Sequence, residues 1–199
     1  MPERPHAIAP SAPGRYGAPG SGVVFAPAAI GAAWNIQGDA TRGSFAGEAE
    51  RICGVALPVE PNTIGRGAKA IALWLGPRSW LLLAGDASAL GDPARAREAL
   101  DAAAGALFDL SDARVAWRIS GASAASVLAK ACPLDFHPRA FAVGACAQSV
   151  FGHVNALYLR DADGFTLLVA RSFARDVWHA LCESAEEYGY EVQAQAPYR

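Results

Sequence analysis

In ARVAWRIS (113–120), Val115, Trp117 and Ile119 alternate with Arg114, Ala116 and Arg118. That period of two predicts a strand with one buried and one wetter face, and the strand-like stretch extends back to residue 107. The period then lengthens. Ala125, Leu128, Ala129 and Cys132 fall on one helical stripe, with Ser120 placed to cap the helix and Pro133 to end it. AQSVFGHVNALYLR (147–160) and FTLLVA (165–170) return to strand character. A second stripe follows at Ala174, Val177, Trp178, Leu181, Ala185 and Tyr188, opened by Ser172 and stopped by Gly189. YEVQAQ (190–195) alternates as a last short strand. From residue 107 the predicted order is β-α-β-β-α-β.

The first half repeats this order less cleanly. GAAWNIQGD (31–39) reads as a strand, and SFAGEAERICGVALP (44–58) opens as a helix that Pro58 ends. PVEPNTIGRG (58–67) reads as a loop. IALWLGPRSWLLL (71–83) is a hairpin around a Gly-Pro turn, with Trp74 and Trp80 flanking it. Asp92 caps a helix with Pro93 at its first position, an apolar stripe at Ala96, Ala99, Leu100 and Ala103, and Gly105 as its stop. The predicted fold class is α+β: two small split β-α-β-like lobes with antiparallel sheets and packed helices. The expected organisation is a single domain over 21–199 with lobes at 31–90 and 91–199. Residues 1–20 hold five prolines and three glycines and read as a flexible arm.

Composition narrows the function classes. The chain has 199 residues, 52% hydrophobic and 18% charged, which is enough to bury a real core. The formal net charge of −2 gives no basic field for nucleic acid or anionic lipid. No apolar run reaches the roughly 18 residues of a membrane span. Cys53, Cys132, Cys146 and Cys182 are widely spaced with no C-x-x-C, and read as reduced, buried thiols of a cytoplasmic protein.

The densest chemistry is CPLDFHPRAF (132–141), which packs a cysteine, an aspartate, a histidine and an arginine into ten positions whose backbone two prolines fix. With Cys146 and His153 it invites a metal reading, but structural zinc sites use tighter pairs, so packed thiols are preferred. A Cys132–His137 nucleophile lacks a recognisable triad, and neither phosphate-loop nor dinucleotide motifs occur. Arg66 between two glycines suits a flexible turn, and Arg171 before Ser172 suits a solvated arginine beside a cap. No catalytic, cofactor-binding or metal residue is assigned. Pro133 and Pro138 make the stretch a stiff connector, from which Asp135, His137 and Arg139 project toward solvent or a partner. Phe136 and Phe141 anchor it in this chain's core or in a partner's pocket. Asp135, Phe136, His137, Arg139 and Arg171 are the candidate partner-docking residues.

At ALWLGPRSWLLL, CPLDFHPRAFAVGACAQSVFGHV and ARSFARDVWHAL the chain resembles the gamma subunit of heterotetrameric sarcosine oxidase. The resemblance runs from about Ala70 to Gly189 and more loosely from Trp34. It implies a fold like the folate-binding region of the glycine-cleavage T-protein. It also implies a flavoenzyme that converts sarcosine to glycine, a one-carbon unit and peroxide. In such a complex the alpha, beta and delta subunits carry FAD, FMN, NAD, tetrahydrofolate and zinc, and the gamma subunit is a non-catalytic assembly scaffold. Folate-using relatives have a G-x-x-D-D-like turn. Here the comparable stretch is Gly152-His153-Val154-Asn155-Ala156, whose Asn155 and Ala156 cannot ionise. The alternatives are a stand-alone folate-binding or aminomethyltransferase-like protein, and a Cys/His metal-dependent hydrolase.

Overall fold

The computed structural model describes residues 12–194 and 196–197. The chain divides into two compact units: a middle unit, Ile30–Asp112, and a composite unit made of the stretch up to Ala29 together with Ala113–Pro197.

The chain enters the composite unit with β1 (Gly14–Tyr16) and β2 (Val23–Ala29). The middle unit follows: β3 (Ala32–Gln37), α1 (Gly43–Cys53), β4 (Ile64–Arg66), β5 (Ile71–Gly76), β6 (Ser79–Ala84), α2 (Pro93–Ala102) and β7 (Ala106–Asp109). Its sheet runs β4-β5-β6-β3-β7, antiparallel throughout. The composite unit resumes with β8 (Arg114–Ser120), α3 (Ala124–Ala129), β9 (Cys146–Phe151), β10 (Val154–Asp161), β11 (Gly164–Ala170), α4 (Ala174–Ala185), β12 (Tyr190–Val192) and β13 (Ala196–Pro197). Its main path is β1-β12-β2-β8-β11-β10-β9, and β13 pairs with β2. The α+β class therefore holds, with two helices and a largely antiparallel sheet in each unit.

Several boundaries differ from the sequence pattern for local reasons. The chain leaves the middle unit at Asp112 rather than near residue 90, because β7 pairs with β3 and takes α2 with it. The stretch 107–120, read as one strand, is two strands in different sheets, β7 and β8. Of the expected arm, residues 1–11 lie outside the described residues. Gly14–Tyr16 is strand β1, paired with Val192–Tyr190, and the Tyr16 ring stacks on Tyr190 at 5.4 Å. The expected loop at 58–67 contains β4. Helix α1 stops at Gly54, whose left-handed φ of 66° lets its N–H reach the Glu50 carbonyl, four residues before Pro58. Ser120 closes β8 instead of capping α3, and the buried stripe of α3 is Ala124, Val127 and Leu128. The Asp92 cap forms as expected, accepting from the Ala94 N–H at 2.9 Å.

Each unit packs its helices on one face of its sheet. In the composite unit Trp117 of β8 stacks on Trp178 of α4 at 5.9 Å, and Phe25 of β2 meets Trp178 edge-on at 5.5 Å. The Trp117 Nε1–H finds no acceptor among the described residues. In the middle unit Trp34, Trp80 and Phe45 form the corresponding cluster, and the Trp80 Nε1–H donates to the Pro58 carbonyl at 2.7 Å. Gly38 and Gly105 flank the Phe45 ring so closely that a Cβ on either would overlap it. Helix α2 ends at Ala102, so Gly105 is a packing notch three residues beyond it, where its N–H donates to the Leu100 carbonyl at 2.8 Å.

Candidate partner-docking site

The connector 132–141 joins α3 to the turn before β9. Cys132 is buried, with its Sγ 3.6 Å from the Ser149 hydroxyl, so it closes the apolar side of α3. Beyond Pro133 the backbone folds over itself. The Asp135 carboxylate accepts from the His137 N–H at 2.8 Å, and the His137 carbonyl accepts from Ala140 and Phe141, both at 2.9 Å. The His137 Nδ1 accepts from the Arg139 N–H at 3.2 Å, which leaves the proton of the neutral ring on Nε2.

Phe136 is only 4% exposed. Its ring meets Tyr158 at 5.4 Å, Phe165 at 5.3 Å and Phe141 at 6.1 Å. It therefore anchors the connector from beneath and is not available to a partner, because the aromatic cluster of its own core consumes its surface. Arg160 of β10 locks the same turn. Its Nη1 donates to the Phe136 carbonyl at 2.9 Å, and its guanidinium lies 4.8 Å over the Phe165 ring. Asp135, His137 and Arg139 remain exposed on this rigid frame.

Arg171 is not part of this cluster. It follows Ala170, whereas the connector neighbours Gly164 at the start of β11, so a strand of about 20 Å separates the two. Arg171 opens the short 3-10 turn Arg171–Phe173 ahead of α4, and its N–H donates to the Ala113 carbonyl. Sequence reasoning missed Arg160 and Phe165. Their signal is an arginine ending the apolar run of LYLRDADGF (157–165), just before a turn that returns a phenylalanine to the same place.

The other candidate chemistries separate in space. Cys146 is fully buried on β9, while His137 and His153 are exposed. Among the described residues no three His, Cys, Asp or Glu side chains gather as metal ligands. Burial pushes the Cys53 thiol up to about 12, far from a reactive thiolate. Asn155 is exposed on β10 and Ala156 is buried, so the turn comparable to the folate motif presents no carboxylate. The residues here do not fit the acid–base role that one-carbon transfer to folate needs.

What the site offers is a stiff, charged loop held by a buried aromatic cluster. The sarcosine oxidase gamma subunit family model matches residues 37–187, which include both helices of each unit and the whole connector. The chain belongs to the sarcosine oxidase gamma subunit family. It is 32% identical to sarcosine oxidase subunit gamma of Corynebacterium sp. (strain P-1) over 154 residues, 76% of this chain and 74% of that one. It is 33% identical to sarcosine oxidase subunit gamma of Corynebacterium sp. (strain U-96) over 137 residues, 68% of this chain and 66% of that one. A solved chain of heterotetrameric sarcosine oxidase from Corynebacterium sp. U-96, in complex with pyrrole 2-carboxylate, superposes with a TM-score of 0.78 at 26% identity. That match covers 86% of this chain and 88% of that one. The glycine cleavage system aminomethyltransferase T from Bartonella henselae matches at 15% identity and a TM-score of 0.57. It covers 88% of this chain and 48% of that one, which establishes a shared fold alone.

Proposed function

We propose that this chain is the non-catalytic gamma subunit of a heterotetrameric, sarcosine oxidase-type flavoenzyme and that it supports assembly of the complex. The observation that carries the reading is the match to a chain of a heterotetrameric sarcosine oxidase along 86% of this chain, at family-level identity. In this reading alpha, beta and delta subunits hold FAD, FMN, NAD, tetrahydrofolate and zinc. This chain contributes surface rather than reacting groups, and the complex works in the cytoplasm. Support for a scaffold role comes from the connector. Asp135, His137 and Arg139 stand exposed on backbone already fixed by hydrogen bonds, so docking there orders little new structure. Charges of both signs on such a loop suit selection of one partner register.

The test is purification in two forms. The chain made alone is expected to show no flavin absorbance and no peroxide release from sarcosine. The chain made with the neighbouring subunits is expected to elute with flavin-bearing chains that oxidise sarcosine. Turnover by the isolated, homogeneous chain overturns the assignment.

A further inference from the structure

Strand β7 ends the middle sheet with an open edge. The Leu110 N–H donates to the Ala33 carbonyl at 2.7 Å, and main-chain groups two residues apart on a strand share a direction, so Phe108 and Ala106 also bond β3. Leu107 and Asp109 therefore turn their N–H and C=O groups to the open side. Arg97 of α2 meets them there, its Nε donating to the Leu107 carbonyl at 3.2 Å. Among the described residues the Leu107 N–H and the Asp109 N–H and C=O have no partner. A groove of about 490 Å³ runs along these groups, bounded by Arg97 and Asp101 on the α2 side. Leu107 packs into the helix-side core, so Phe108 stands on the other face of the sheet, 51% exposed. Of the large apolar side chains exposed among the described residues, Val59, Phe108, Val143 and Phe173, Phe108 alone lies on a strand.

We infer that β7 receives an extended segment of a partner subunit as the next strand of the middle sheet, with an apolar side chain beside Phe108 and a polar one between Arg97 and Asp101. The backbone selects a strand. Unpaired N–H and C=O groups at strand spacing are complementary to another extended main chain, and strand addition draws its affinity from those bonds. The composite unit carries the precedent. Its β2, which holds the place of β7, is followed in the sheet by β12 and then β1, and β2 itself comes from outside the repeat. Arg97 does not close the edge, because the Leu107 carbonyl keeps a second lone pair and Asp109 is untouched. Arg97 and Asp101 form no ion pair among the described residues, and their opposite charges suit a side chain that both accepts and donates, such as an amide or a hydroxyl. The inference rests on the gamma-subunit reading, in which alpha, beta and delta subunits join one copy of this chain, so the added strand comes from a different subunit.

The experiment co-expresses the full chain with the alpha, beta and delta subunits of its complex and measures the share that co-elutes with flavin. Hydrogen exchange resolved to single amides is then compared between the complex and the isolated chain. Strand addition leaves an alternating signature. The Leu107 and Asp109 amides are expected to exchange about tenfold slower in the complex, while the Phe108 amide, already bonded to β3, stays unchanged. Phe108→Lys sets a charge on the edge at a position that is already exposed, and is expected to cut co-elution about tenfold. Val59→Lys, at a 69% exposed position off the strands of the same unit, is the control and is expected to match wild type. Far-ultraviolet circular dichroism checks that each variant folds. Leu107 and Asp109 amides that stay fast in the complex overturn the added strand. A folded Phe108→Lys chain that assembles like wild type, or a Val59→Lys control that loses as much, overturns the β7 edge as the docking place. A chain that dimerises alone, with the dimer lost in Phe108→Lys, gives the edge to a second copy and overturns the partner. If the wild-type chain itself never co-elutes with flavin, the gamma-subunit reading fails first, and this inference falls with it.

Discussion

The two units follow the same order of elements and build different sheets from it. The middle unit reads β3-α1-β4-β5-β6-α2-β7, and the composite unit reads β8-α3-β9-β10-β11-α4-β12. In the middle unit the last strand lies beside the first: β7 pairs antiparallel with β3 and forms the sheet edge, with Phe108 51% exposed. In the composite unit β2 occupies that place. It pairs antiparallel with β8 and parallel with β12, which is displaced by one position, and β1 extends the sheet beyond. Val23 and Phe25 of β2 are fully buried in the helix-side core. A stretch preceding the first repeat thus completes the second one, and the order of elements alone does not determine strand neighbours.

The largest expected effect follows from that difference. Removing residues 1–29 deletes β2 from the middle of the composite sheet and leaves Phe25's neighbours, Trp178 and Tyr190, without cover. Cooperative unfolding of the composite unit is expected to vanish, seen as lost amide protection in β8 and β12 by hydrogen exchange. Retained protection in those strands would show that β2 is dispensable.

The tryptophan pair gives a sharper contrast. Trp80→Phe breaks the bond to the Pro58 carbonyl, whereas Trp117→Phe removes an N–H that has no acceptor. Both lose ring volume, so the difference isolates the polar term. Trp80→Phe is expected to cost about 1–3 kcal/mol more than Trp117→Phe in denaturant unfolding. Equal costs would show that Trp117 Nε1–H is satisfied in solution. Next in size is Gly38→Ala, which pushes a Cβ into the Phe45 ring. It is expected to cost about 1–3 kcal/mol, and a neutral result would show that Phe45 can move.

The smallest effect is electrostatic and belongs to the composite unit. Lys130 bonds the Ser184 carbonyl at 2.7 Å and pairs with Glu187 at 2.5 Å. The Lys130 ammonium holds the Glu187 carboxyl below its ordinary value of 4.5. A lowered folded pKa means that the carboxylate's contribution is present above that ordinary value and is lost as pH falls through the lower folded one. The melting-temperature gap between wild type and Lys130→Met is expected to be small at pH 7 and smaller still below about pH 4. A gap that grows on acidification would contradict the pairing.

Helix α2 and the hairpin β5–β6 were legible because period and punctuation agreed: Asp92-Pro93 starts α2 and a Gly-Pro turn joins the strands. Helix α4 was legible from its stripe, Ala174 to Ala185, whereas Ser172 lies in the 3-10 turn before it and does not cap it. Strand β2 was not legible, since Pro27 and three alanines weaken its β signal, and burial within the sheet supplies what local propensity does not. The split of β7 from β8 was hidden because both are apolar and only a short polar turn separates them. The connector was legible as a stiff element from its prolines. Its aromatic anchor and the Arg160 clamp were not, because Arg160 lies 24 residues from Phe136 in sequence and Phe165 farther still.

The central claim is that this chain works by being assembled rather than by reacting. The most direct measurement is affinity purification of the tagged chain from its native host, followed by flavin absorbance, subunit identification and a sarcosine oxidation assay on the same fraction. The account expects a stoichiometric complex with flavin-bearing chains that releases peroxide from sarcosine, and an inactive chain once that complex is dissociated. A chain that purifies alone, or one that stays active after its partners are stripped away, would contradict it.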